Sequence, residues 1–551
     1  MGASEPGVVG FARRHAAAIG GAVVALPLLV AAVRMLVTDG YAPYADLPLI
    51  ELSVRDVGRH PVELGAYSRF GWFHPGPLMF YALAVPYRLL GSRAVSLPAA
   101  AAVLNAGWVF AAAWLGRRRA GLPGLAAVLA GTALVLRAMG ASMWTDPWNP
   151  SVAVLAFLVF VLACWCLAAG DDVGLVVAVV AGTFALQSHA GYLPFVGLLG
   201  VVALGWRIAL ARARRPALDD ASDDASSPRS AARPGSPGAG RTLALRSAVI
   251  TAAVVGVVLW APPLLEQATH DPGNLRRIVA YSREAQPVNT MADGARFVAF
   301  ELGVPPAFVG GELQPGWLGL LDVSAPPLPI GAVLLVAAGV VAAWRREVGA
   351  LQLVVLAAAG LVAAVVAVSR FADGIFPYLT QWSPVIGMVT WLAIGWTAWV
   401  VARPRLPHLA RQVVGGLVVA TIVVVTGANV VAGATTDPHD LDKSAAVLGV
   451  ADAAVARLDP AQPVVVELAE PSGGVEALWT ADGVITELDR RGFDVRVPET
   501  ETVWGRRART DGATQVVAVR RMVDDLPADW QGRSPDARVG DYAVWAGPRP
   551  T

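Results

Sequence analysis

The sequence predicts an α-helical polytopic membrane protein with about eleven transmembrane helices. It also predicts interfacial helices in the first outside loop and a small C-terminal extracytoplasmic α/β domain. Three observations support this. Apolar residues make up 55% of the 551-residue chain and charged residues only 15%, a balance that soluble domains do not show. Apolar runs of roughly 17–25 residues recur, each long enough to cross a hydrocarbon core of about 30 Å as a helix. Beyond residue 434 the runs stop and strand-like and helix-like stretches alternate.

Spans are expected at about 16–37, 97–116, 122–139, 151–169, 173–188, 193–208, 246–264, 328–344, 349–368, 380–402 and 412–433. The first lacks a small-residue cleavage site in good position and reads as an uncleaved span. Arginine-rich loops should face the cytoplasm. Arg13 and Arg14, "GRRRAG" at 116–121, the stretch 207–246, "WRREV" at 344–348 and "ARPRLPHLARQ" at 402–412 alternate accordingly. Only "GDD" at 170–172 breaks the pattern. The N-terminus is then cytoplasmic and the C-terminal domain extracytoplasmic, in a multi-pass protein of the cell membrane.

Four regions follow: an N-terminal transmembrane catalytic half, 1–213, with the first outside loop 38–96; a Pro/Gly/Ser/Asp-rich disordered cytoplasmic linker, 214–243; a C-terminal transmembrane half, 244–433, with the outside loop 265–327; and the α/β domain, 434–551. In the last, helices are expected at 442–458 and 475–491, with strands in "PVVVELAE", "FDVRVPE", "TQVVAVRR" and "DYAVWAG". It reads as an accessory domain that binds or orients an acceptor.

A formal net charge of +1 gives no ground for a nucleic-acid partner. Cys164 and Cys166, in "CWC", point to different helix faces and read as reduced, packed thiols. No Walker loop, zinc-protease pair, serine elbow or dinucleotide fingerprint occurs. Energy for any chemistry must then come from an activated donor.

The first outside loop gathers many of the ionisable groups. Within 46–58, Leu49, Leu52 and Val57 lie towards one side and Glu51, Arg55 and Asp56 towards another, the pattern of a short amphipathic interfacial helix. "PLMFYALAVPYRLLG" at 77–91 reads as a second, begun by the prolines of "HPGP".

The order of apolar span, Asp, short helix, aromatic-Pro motif, interfacial helix ending in Leu-Leu-Gly, second span and Arg cluster resembles the membrane-embedded C-type glycosyltransferases (GT-C superfamily). It is most similar to their protein-mannosyltransferase and aminoarabinose-transferase branch. The resemblance covers roughly residues 15–210. It implies transfer of a sugar from a polyprenyl phosphate, with a first-loop Asp, usually in an Asp-Glu pair, as the catalytic carboxylate. Asp46 matches that aspartate. The family's following Glu is Leu47 here, and Glu51 is the next acid. His74 stands at the basic position of the family's Lys/His-Pro-Pro-Leu-Tyr-Tyr segment. "DPWNPSVAVLAF" at 146–157 is similar to the family's Asp-Pro start of the fourth span, with Asn149 before the second proline.

Glycosyl transfer needs a base for the acceptor hydroxyl and cationic or metal groups for the departing phosphate. Asp46 is the expected base, with Glu51 beside it; the plain alternatives are capping of the next helix for Asp46 and a solvated helix face for Glu51 and Asp56. Arg69 and His74 are expected at the donor phosphate, against ordinary headgroup anchoring. Gln187 and His189 in "QSHAGY", Asn149, and Arg370 complete the substrate-binding candidates; Arg370 and Tyr378 form the last outside cluster, in "SRFADGIFPYLTQW", where membrane anchoring is the plain alternative to phosphate binding. Arg276, Arg277 and Arg283 lie in loop 265–327, which continues past Trp317 and reads as a lid or acceptor surface. No metal ligand set is named, and a divalent metal stays open.

The expected activity is therefore that of a polyprenyl-phosphate-sugar-dependent glycosyltransferase acting by inverting displacement. Its acceptor would be a cell-wall glycan, a lipid or a protein, and membrane lipids would surround it. A transporter or flippase of lipid-linked sugars would carry ionisable or helix-breaking residues in mid-span and repeated halves. A non-catalytic cell-envelope assembly protein is the third reading.

Overall fold

The computed structural model describes residues 7–223, 245–309, 319–468, 475–500, 502–522 and 533–549. Its first elements are α1 (Gly7–Arg14), α2 (Ala16–Leu36) and α3 (Leu47–Asp56), then the two-residue strands β1 (Tyr67–Ser68) and β2 (Trp72–Phe73) and α4 (Leu78–Leu89). The bundle continues through α5 (Ser96–Met139), α6 (Ala141–Trp144), α7 (Asn149–Ala168), α8 (Val173–Ser188), α9 (Leu193–Asp223) and α10 (Leu245–Thr269). After it come α11 (Asn274–Glu284), α12 (Met291–Glu301), α13 (Ile330–Trp344), α14 (Val348–Ser369), α15 (Ser383–Ala402) and α16 (His408–Thr435).

Every expected apolar run is helical. Among the described residues, eight helices are long and apolar enough to cross a membrane, and α8 and α13 are shorter apolar helices. The 44-residue α5 accounts for two expected spans, because it breaks at Ala120 and Gly121, where Gly121 takes φ +66°. Its legs fold back so closely that a Cβ on Gly124 would lie 2.6 Å from the Gly116 carbonyl oxygen. Glycine supplies both the left-handed backbone and the close approach. Helix α9 runs through Asp223, ten residues into the expected linker; the remainder of that linker, 224–243, lies outside the described residues, as does Trp317.

Every residue of α7 is buried. A helix apolar on all sides belongs at the centre of a bundle, and α7 packs against α5, α8, α9, α14 and α15. Exposed Val33, Val201, Val257, Val336 and Val424 give the bundle an apolar exterior. At one end, Arg118 pairs with Asp171, Arg207 Nε lies 2.6 Å from Asp172, and Arg119 lies 3.2 Å from Gln352. The "GDD" turn therefore sits among arginines and neutralises two of them.

The opposite end carries loops 38–96, 140–150, 188–192 and 369–379, together with the C-terminal domain. That domain comprises α17 (Leu441–Val455), β3 (Val464–Glu467), α18 (Val475–Arg490), β4 (Val495–Arg496), β5 (Gln515–Arg521), β6 (Ala537–Val539) and β7 (Tyr542–Pro548). The sheet order is β4-β3-β5-β7-β6; β3 is parallel to β4 and β5, and β7 is antiparallel to β5 and β6. The core of this domain includes Ala42, Tyr44 and Leu52 of the first loop. Helix α3 thus lies between two partners: Leu47, Ile50 and Val54 pack with α4, and Leu52 packs with the domain.

Candidate active site

The chain turns sharply into α3. Ala45 adopts φ +54°, a conformation a β-carbon disfavours. Asp46 follows at the N-cap position, yet its side chain makes no capping hydrogen bond. Instead the Trp148 indole N–H donates to Asp46 Oδ2 at 2.9 Å. Trp148 is itself held by Asp146, whose carboxylate accepts from the Trp148 backbone N–H at 2.9 Å and from the Ser151 hydroxyl at 2.7 Å. Asp146 thus ties the turn at Trp148 to the Ser151 side chain in the first turn of α7.

An aromatic lane leads away from this pair. Trp148 meets Tyr378 at 5.3 Å between ring centroids, and Tyr378 stacks on Phe376 at 5.7 Å. The Arg69 guanidinium lies 5.2 Å from the centroid of Phe70 and 5.7 Å from that of Phe376, and pairs with Asp373. The cleft between these loops is lined by Asp46, Ser53, Tyr67, Trp148, Asn149 and, from the C-terminal domain, Val503. Asp46 opens to this cleft. Burial among the surrounding protein atoms still pushes its carboxyl above the ordinary range; the Trp148 N–H opposes that shift and the Asp146 charge adds to it. Such a carboxylate is a stronger base than a free one and keeps a solvent path.

The other expected residues divide. Glu51, expected beside Asp46, is fully buried away from the cleft: its Oε1 accepts from the Tyr87 hydroxyl at 2.8 Å and from Arg490 of α18 at 2.7 Å. Asp56 likewise meets Arg507 at 2.9 Å and Arg506 at 3.2 Å. Neither has a solvated face. His74 is buried, its Nδ1 accepts from the Ala190 backbone N–H at 3.1 Å, and its ring lies 4.7 Å from that of His189. Burial, then the neighbouring His189, hold His74 well below the usual imidazole range, and burial pushes His189 down to about 4. A buried imidazole held below its usual range is a poor partner for phosphate, and the contacts of His74 support a loop-joining role instead.

Gln187 is also committed. Its Oε1 accepts from the Leu78 N–H at 3.3 Å, at the start of α4, while its Nε2 donates to the Leu259 carbonyl at 2.8 Å. Asn149 lines the cleft, with its Nδ2 donating to the Ser188 carbonyl at 3.1 Å. Arg370 donates to the Ser282 carbonyl at 3.0 Å, joining α14 to α11. Loop 265–327 reaches the site through Asn274, which both donates to and accepts from the Phe73 backbone at 2.8 Å. Tyr281 of α11 packs on Phe70 at 4.8 Å.

Sequence reasoning passed over Trp148, Asp146, Asp373 and Val503 as members of the site, whereas Tyr378 stood out beside Arg370. The first three stand in outside loops rich in aromatic and proline residues, a signal that was available. Val503 offered none. Among the described residues, no group of three or more His, Cys, Asp or Glu is arranged to hold a metal ion.

No family model and no curated protein matches the chain. Solved structures do. ArnT from Cupriavidus metallidurans bound to undecaprenyl phosphate superposes with a TM-score of 0.55 at 14% identity, over 95% of this chain and 97% of that one. The same protein in the apo state gives 0.52 at 14% identity, with the same coverage of both chains. More distantly, an oligosaccharyltransferase from Archaeoglobus fulgidus gives 0.38 at 10% identity, over 90% of this chain and 67% of the other. With its apolar helices, its sheet domain at one end and this match along nearly its whole length, the chain is a multi-pass membrane protein with the fold of ArnT.

Proposed function

We propose that the chain is a membrane glycosyltransferase that moves a sugar from a polyprenyl-phosphate donor to an extracytoplasmic glycan, lipid or protein acceptor. The observation that carries this reading is Asp46: a basic carboxylate, free of capping duty, oriented by the Trp148 N–H in a cleft from which the Trp148–Tyr378–Phe376 rings lead to Arg69. The ArnT fold, in a structure holding undecaprenyl phosphate, supports a lipid-linked donor.

In the proposed reaction Asp46 takes the proton of the acceptor hydroxyl while its oxygen attacks the anomeric carbon. The bond from that carbon to the phosphate oxygen breaks, its electron pair leaves with the polyprenyl phosphate, and the configuration inverts. Arg69 exchanges its exposed partner Asp373, a weak tie in water, for the phosphate and stabilises the charge that collects there. Trp148 and Tyr378 offer ring faces to the sugar.

The test offers labelled polyprenyl-phosphate sugars, one at a time, to membranes containing the protein. Label should pass to an acceptor, and Asp46→Asn should reduce transfer by about 10²–10⁴-fold, the usual worth of general-base help, with donor affinity nearly unchanged. Label that crosses the membrane still attached to its lipid would instead establish a flippase. Wild-type turnover by Asp46→Asn would remove this residue as the base.

A further inference from the structure

We infer that the C-terminal domain is part of the active site: its segment 502–507 walls the cleft and locks the helix that carries Asp46. This rests on the reading of Asp46 as the base. Val503 lines the cleft together with Asp46 and Trp148. Three and four residues on, in the same 3-10 turn, Arg506 and Arg507 grip Asp56, the last residue of α3. Arg507, with 4% of its side chain exposed, also bonds Asp489 of α18 at 2.9 Å, and Arg55 of α3 reaches the same Asp489 at 3.1 Å. In the middle of α3, Glu51 is held by Arg490, which also pairs with Glu487.

Helix α3 has ten residues, and charges of the C-terminal domain hold its middle and its end while Asp46 precedes its start. Buried ion pairs add little net stability over apolar contacts of the same shape, and their best-attested use is to fix one register among several. Here the register in question is that of α3, and with it the direction of the Asp46 carboxylate. Two features of one turn, a residue in the cleft and a grip on α3, place the domain in the site. A domain that only gathers acceptor would need neither.

The experiment uses the full-length protein. Asp56→Asn should lower kcat by about 10²-fold, the scale of a displacement of roughly 1 Å at a reacting group, with donor KM nearly unchanged; Asp56→Glu, which keeps the charge, should recover part of the loss. Val503→Trp leaves the ion network alone and fills the cleft, so it should impair transfer while the melting temperature in detergent holds. Asp46→Asn is assayed beside them. If Asp46→Asn is inactive while Asp56→Asn and Val503→Trp turn over like wild type, the base stands and this inference falls. If Asp46→Asn is fully active, the base reading falls first and this inference with it. Should Asp56→Asn fail to reach the membrane, Val503→Trp decides alone.

Discussion

The Asp46 side chain makes no capping hydrogen bond to the helix it begins, and its pH response follows from its burial. Its carboxyl is raised by burial, so it takes up a proton at a higher pH than a free aspartate, near 4. A base works only when ionised. Transfer should therefore decline on the acid side at a pH above the ordinary carboxylate range. The Trp148 N–H favours the ionised form, so Trp148→Phe should move that acid limb to still higher pH in a kcat/KM profile; an unmoved limb would mean that another group sets it. His74 gives the opposite kind of prediction. As a neutral acceptor for the Ala190 N–H, it should on replacement by Ala leave a buried donor unpaired, at about 1–3 kcal/mol. The melting temperature should fall while donor KM stays level, whereas a phosphate ligand would raise KM. Asp46 was legible because a carboxylate just after a span is conspicuous. The neutrality of His74 was not, since it depends on His189, 115 residues away in sequence.

Elements were read more fully than residues, for a physical reason. An apolar run of about twenty residues has few alternatives to a helix in a membrane, and each such run is helical here. The amphipathic α3 and the α4 segment were visible from spacing, as were the helices and four of the five strands of the C-terminal domain; the three-residue β6 escaped. Pairing of elements was not visible. Nothing in 46–58 says that Glu51 and Asp56 face Arg490 and Arg507, because opposite charges more than 400 residues apart leave no local trace. The α5 hairpin gives a test at this scale. A side chain at Gly124 would collide with the backbone of Gly116, and main chain cannot rotate aside. Gly124→Val should thus cost at least the 1–3 kcal/mol of overpacking and lower the melting temperature, while Gly107→Val, with open space around its Cβ, should not. Equal tolerance at both sites would mean that the legs do not pack as closely as described.

The whole molecule is asymmetric between its ends, and that asymmetry sets its orientation. One end carries the arginine clusters of alternate loops; the other carries the cleft and the C-terminal domain. The positive-inside tendency counts Arg and Lys in short loops and gives little weight to acids. The "GDD" turn has neither Arg nor Lys, but Arg118 and Arg207 of its neighbours pair with its two aspartates, so it lies at the arginine-rich end after all. The cleft should then face away from the cytoplasm, where a lipid-linked donor would meet envelope acceptors. Single cysteines check this. The native Cys164 and Cys166 are buried and give little background. A cysteine at the exposed Ala461 of the C-terminal domain should react with an impermeant maleimide in intact cells. One at the exposed Arg405, in the arginine-rich loop between α15 and α16, should stay silent until the membrane is permeabilised. The reverse result would turn the cleft to the cytoplasm, and with it the acceptor would have to be sought among cytoplasmic molecules.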